Sequence, residues 1–314
     1  MPRPVAPEDE PAQLALTDAA ARQLANATKS RAQLDTITRR WLVQMLQWVP
    51  VEAGIYRLNR VKDPESVAVS TPPRDESEVA TTYVGYYEEP REYFLSTITT
   101  IVDIHTRISD LYSSPFDQIA EQIRLTVETV KERQESELIN NADYGLLANV
   151  EAGQRIPTLT GPPTPDDFDE LITKVWKDPA FFLAHPLAIA AFGRECTRRG
   201  VPPATVSLCG SQFLTWRGLP IVPSNKVPLD GAKTKVLLMR VGEARQGVIG
   251  LYQPGLTGEQ SAGLSVRFMG ISRNAIASYL VSLYSSLAVL TPDALAVLDD
   301  VEIGKFHEYG YSYR

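Results

Sequence analysis

Residues 55–105 constrain the fold more than any other part of this 314-residue sequence. Residues 55–61 and 67–70 have strand composition, residues 71–78 are polar, and residues 83–87 and 91–108 turn β-rich again. Two β-rich arms around a polar tip predict a long hairpin. An isolated two-stranded ribbon is marginal in water. The ribbon must therefore pack on something else, and a neighbouring subunit is the natural partner.

The rest of the chain is long enough to build its own core. Apolar residues make up 44% and charged residues 22%, values ordinary for a globular protein. The net charge of −7 and a pI near 5.2 argue against a nucleic-acid partner and against docking on an anionic membrane. The longest apolar run, residues 275–290, is 16 residues long and holds four serines, so it is too short for a bilayer span and reads as a buried helix or a mixed helix-strand crossing. The first residues lack an apolar leader, and two cysteines, Cys196 and Cys209, cannot make a disulfide framework. Both features fit a reducing cytosol, with the cysteines as small apolar residues.

Residues 1–16, with four prolines, read as an extended arm. Helical pieces follow, and Trp41, Leu42, Met45, Leu46 and Trp48 share a face before Pro50. Ser114-Pro115-Phe116-Asp117 is a start signal for a helix reaching about Asn140, with Ser114 as N-cap and Ile119, Ile123, Val127, Val130 and Leu138 on its apolar stripe. Thr164-Pro165-Asp166-Asp167 opens a second, with Phe168, Leu171, Ile172, Val175 and Trp176 at amphipathic spacing. Residues 186–198 form a third. Short strands then dominate, at 205–208, 212–216, 235–241, 248–252 and 264–270, and Thr291-Pro292 starts a last short helix. The fold class is α+β.

No catalytic constellation emerges. Residues 258–263 have the glycine spacing of a phosphate loop, but Leu264-Ser265 stands where the lysine is needed. His105, His185 and His307 lack partners at metal-ligand spacing. Cys196 and His185 make a nucleophile–base pair only if the fold joins them. Asp166, Asp167, Asp169 and Glu170 suit a helix N-terminus. No cofactor, metal or catalytic residue is expected.

Long segments carry a resemblance. Residues 109–115, 131–135, 159–167, 182–194, 218–224 and 263–270 are similar to the second encapsulin family, including its mycobacterial and cyanobacterial members, and the similarity spans about residues 13–309. The resemblance implies a tailed-phage major-capsid fold: an N-terminal arm (1–50), an E-loop hairpin and the start of the P-domain (51–108), the P-domain with its spine helix (109–160), an A-domain (161–273), and a return to the P-domain (274–314). It implies a self-assembling icosahedral shell of on the order of sixty copies. The shell encloses a cargo protein, is not an enzyme, and lies in the cytoplasm. No block is free for the cyclic-nucleotide-binding domain of some members, which points to the group whose cargo is a cysteine desulfurase in sulfur metabolism or storage. Neither nucleic acid nor membrane insertion is implied, and the cargo-docking residues stay unassigned. By the family pattern the turn Arg198, Arg199 and Gly200 lies at a five-fold pore; a plain surface turn is the other reading. Two other functions stay open: a prophage major capsid protein, and a soluble enzyme using Cys196 or His185.

Overall fold

The computed structural model describes residues 33–62, 81–105, 117–273 and 276–304. The proline-rich arm, the strand at 67–70, the polar tip 71–78, the helix start at Ser114, and His307 lie outside the described residues, as does the side chain of His105. The described elements in chain order are α1 (Trp41–Met45), β1 (Trp48–Pro50), β2 (Ile55–Leu58), β3 (Arg91–Phe94), β4 (Ser96–His105), α2 (Gln118–Asn140), β5 (Arg155–Pro157), α3 (Pro165–Lys174), β6 (Phe181–Ala184), α4 (Pro186–Arg198), β7 (Ala204–Leu208), β8 (Ser211–Trp216), β9 (Leu219–Pro223), β10 (Lys233–Met239), β11 (Val248–Tyr252), β12 (Glu259–Ser261), β13 (Leu264–Ile271), β14 (Ile276–Val289) and β15 (Leu295–Glu302). The chain divides into two compact units, one of Met1–Arg39, Thr97–Arg133 and Gly255–Leu283, the other of the remaining residues.

In the first unit, β13 pairs antiparallel with the start of β14, from Leu264 opposite Leu283 to Ile271 opposite Ala277. β12 pairs with β13, and β4 pairs with β14. The early turns of α2 cover this sheet. Ile123, Val127 and Val130 pack on Ile98, Val102, Leu264, Val266, Val281 and Leu283. The described part of the helix begins at Gln118, and the Asp117 Oδ1 accepts the Ala120 N–H at 3.0 Å.

The second unit is built on a seven-stranded sheet in the order β5-β15-β10-β6-β9-β8-β7. β6, Val236–Met239 of β10 and Leu295–Leu298 of β15 are apolar and buried without a break, because both faces are covered. On one face, Phe182, Val236, Leu238, Ala296 and Leu298 pack under α3 and α4 with Phe168, Leu171 and Phe192. On the other, Leu183, Leu237, Met239, Leu295 and Val297 meet Trp41, Leu42, Leu138, Ile139 and Phe213. Each strand alternates between the two cores, as the period of two demands. In the same unit the end of β14 pairs with β11, and β11 runs parallel to β1.

Three expectations need correction. Residues 276–289 are a strand, not a helix. Leu287 and Val289 face one core while Ala288 and Leu290 face another, so the polarity alternation that would mark a strand is absent. Thr291-Pro292 opens only a three-residue 3-10 turn, Pro292–Ala294, before β15, a strand the sequence reading did not foresee. Trp176 is not on the buried stripe. The helix ends at Lys174 with Val175 as its C-cap, which leaves Trp176 69% exposed.

The ribbon of β2 and β3 is antiparallel, with Ile55 opposite Phe94 and Leu58 opposite Arg91, and continues to a bridge between Val61 and Tyr86. Only its base enters a core, through Tyr93, Tyr56 and Leu58. Beyond it Tyr83 is 88% exposed and Tyr86 and Tyr87 are exposed too, and at the base Phe94 is exposed on the opposite face to Tyr93.

Candidate functional site

The turn Arg198, Arg199 and Gly200 is set by the way α4 ends. His185 begins the helix: its Nδ1 accepts the Leu187 N–H at 3.2 Å, and Pro186 follows at the first helical position. Ala188, Ala191, Phe192 and Cys196 are buried, which fixes the rotation of the helix and turns Arg198 outward. Gly200 closes the helix at φ +71°. Its N–H reaches the Thr197 carbonyl at 3.1 Å, and the Val201 N–H reaches Cys196 at 3.0 Å. This paired closure needs a left-handed residue, which glycine adopts freely.

Both guanidinium groups line a cleft of about 420 Å³ with Thr160, Pro162 and Glu195. Arg198 is 60% exposed and lies 3.6 Å from Glu195; Arg199 is 35% exposed and lies 3.5 Å from Asp166. Each cation has a carboxylate in reach, so the local charges balance within one copy. The sequence alone counted the arginines without their partners.

The other candidates resolve into structural roles. Cys196 is buried, and burial pushes its thiol up to about 11, the wrong direction for a nucleophile. Burial also lowers the pKa of His185, whose Nδ1 is already occupied as a helix cap. The two sit at opposite ends of α4, about 16 Å apart at ~1.5 Å per residue. They make no catalytic pair. Among the described residues no group of three or more metal-ligating side chains converges. No described helix is long and apolar enough to cross a membrane.

The acidic run at 166–170 is consumed by structure. Thr164 and Asp167 form a reciprocal capping box, and Asp169 accepts the Trp216 indole N–H at 2.7 Å and pairs with Arg217 at 2.8 Å. Those bonds hold the Asp169 carboxyl below its ordinary range. Gly258 sits at φ +74° with the Val266 carbonyl where a side chain would go, so residues 258–263 are β12 and its tight return into β13, not a phosphate cradle.

These features define a protein built to pack against others: one ribbon left uncovered, a doubly covered sheet, and no reactive centre among the described residues. The computed fold is that of tailed-phage capsids, as in the capsid of an empty gene-transfer-agent (GTA) particle, with a TM-score of 0.62 at 14% identity over 91% of this chain and 100% of that one. The chain belongs to the SrpI-like type 2A encapsulin shell proteins, whose family model matches residues 56–305. It is 68% identical to the type 2A encapsulin shell protein SrpI of Synechococcus elongatus over 97% of this chain and 99% of that one. It superposes on the chain of the holo-SrpI encapsulin complex with a TM-score of 0.83 and 67% identity, covering 95% of this chain and 100% of that one. It is a shell protein and not an enzyme, and its membership of the encapsulin family removes the soluble-enzyme reading of Cys196 or His185 and the prophage-capsid reading.

Proposed function

We propose that many copies of this chain, on the order of sixty, close into an icosahedral shell around a cargo enzyme in the cytoplasm. The observation that carries this reading is the uncovered ribbon. Tyr83, Tyr86, Tyr87 and Phe94 project from a two-stranded ribbon that only its base anchors. Covering aromatic side chains stabilises by about 1.5–3 kcal/mol each, and in a single copy that stabilisation is forgone. Residues 1–50 act as the arm, 51–108 as the E-loop and first part of the P-domain, 109–160 as the spine region, 161–273 as the A-domain and 274–314 as the return. The cargo is a cysteine desulfurase, and the shell serves sulfur metabolism or storage; similarity to the SrpI group supports this assignment. Co-expression with a desulfurase and with an unrelated enzyme of equal size tests it. Selective retention of the desulfurase in purified particles is the expected result, and equal retention of both overturns it.

Arg198, Arg199 and Gly200 frame the five-fold pore in this reading. Five copies bring ten guanidinium groups together, and the field of such a ring favours anions or zwitterions. The balancing pairs with Glu195 and Asp166 support the opposing reading, a plain surface turn. Changing Arg198→Asp and Arg199→Asp together should leave particles intact by electron microscopy while slowing entry of an anionic solute on the order of tenfold. Unchanged entry rates in intact particles overturn the pore assignment.

A further inference from the structure

We infer that the free edge of β7, with the apolar cleft beside it, pairs with an extended segment of a second copy of this chain. Among the described residues β7 is the last strand of its sheet. It joins β8 through Cys209-Gly210, both at positive φ (+49° and +73°), the two-residue hairpin form. Leu208 and Ser211 are then a hydrogen-bonded pair. Alternation along an antiparallel ladder makes Val206 with Phe213, and Ala204 with Thr215, bonded pairs as well. The N–H and C=O groups of Thr205 and Ser207 therefore point away from β8, toward the free edge.

Nothing in the strand guards that edge. Its sequence, Ala-Thr-Val-Ser-Leu, has no lysine, no proline and no charge. Such an edge is a template for another strand unless something covers it. On the side of Val206 and Leu208 a cleft of about 470 Å³ opens, walled by Met45, Phe181, Pro220 and Val241. The charged group at this cleft is Arg245, and Asp178 matches it at 3.1 Å. An uncharged occupant that turns an apolar side chain into the cleft fits both edge and cleft. Residues 81–84, Thr-Thr-Tyr-Val, are uncharged and exposed, and either Tyr83 or Val84 is such a side chain. Every copy also carries the edge, so a partner present once per copy is needed to cover it throughout, and another copy of the same chain meets that condition.

The inference rests on the shell reading, and the test separates the two. Thr205→Pro removes an outward N–H at an edge position that tolerates proline, while Thr205→Ala keeps it. Cys209, exposed at the hairpin tip, reports coverage through its rate of alkylation by a bulky maleimide, with buried Cys196 as the unreactive reference. In wild-type and Thr205→Ala particles Cys209 should react on the order of tenfold more slowly than in the folded Thr205→Pro chain. That variant should keep its circular dichroism but lose particles or lose the protection. If Thr205→Pro fails to fold, Ser207→Pro repeats the deletion at the other outward N–H. Normal Thr205→Pro particles with Cys209 still protected overturn the inference alone, as does Cys209 reacting in wild-type particles as fast as in unfolded chain. Protection that appears only when cargo is loaded overturns the second-copy occupant in favour of cargo. Absence of wild-type particles overturns the shell reading and this inference together.

Discussion

Arg240 is buried, at 2% side-chain exposure, and it holds the end of β10 to the turn before β15. It reaches Asp293 at 3.1 Å and the Thr291 hydroxyl at 2.8 Å, while Lys177 approaches Asp293 at 2.8 Å from another side. Burial on its own would raise the Asp293 carboxyl. The hydrogen bonds from Arg240, Lys177 and Thr291, with the Arg240 charge, outweigh burial and hold it well below the ordinary carboxylate range. A depressed folded-state pKa stabilises the fold above the unfolded-state value, and that contribution disappears as the pH drops through the folded-state value. Its loss therefore belongs to strongly acid solution. Asp293→Asn leaves a buried guanidinium without its anion and should cost about 3 kcal/mol. Denaturant unfolding near neutral pH checks the size of the loss, and a flatter acid limb checks its cause. A variant as stable as wild type at neutral pH would contradict the role given to this pair.

At the scale of elements, α3 and α4 are held to the sheet by aromatic packing. Phe168 stacks on Phe192 with ring centroids 4.0 Å apart, and Phe192 meets Trp216 edge-on at 5.5 Å. Phe192→Ala should destabilise the second unit by about 3–5 kcal/mol, which urea unfolding of the variant measures. A loss below about 1 kcal/mol would show that the two helices are not pinned at this point. The helices were the legible part of the sequence. Thr164 with Asp167 is a start signal that the structure places where it was read, and the helix expected at 186–198 is α4. The strands were less legible. β6, β9 and β15 escaped because their neighbours bury both faces and erase any alternation, and β14 passed for a helix for the same reason. The hairpin at Cys209-Gly210 was only half readable, because Gly210 suits a tight turn while cysteine is not a usual residue at the positive φ that Cys209 adopts. The ion partners of Arg198 and Arg199 were only half readable. Glu195 is three residues from Arg198, but Asp166 comes from another helix and reaches Arg199 only through the fold.

At the scale of the molecule, one chain shows what a partner must complete. The ribbon exposes four aromatic side chains, β7 is the last strand of its sheet among the described residues, and Trp176 is exposed. Patches of this kind mark interaction surfaces. The fold is that of proteins which solve the problem by closed repetition, and closure lets modest contacts add up cooperatively. The most direct test of this account is the mass of the purified protein in mild buffer, by mass photometry with electron microscopy of the same sample. Sixty copies of the 34.7 kDa chain predict hollow particles of about 2 MDa before cargo is counted. A sample that stays entirely at 34.7 kDa, folded and soluble, would contradict it.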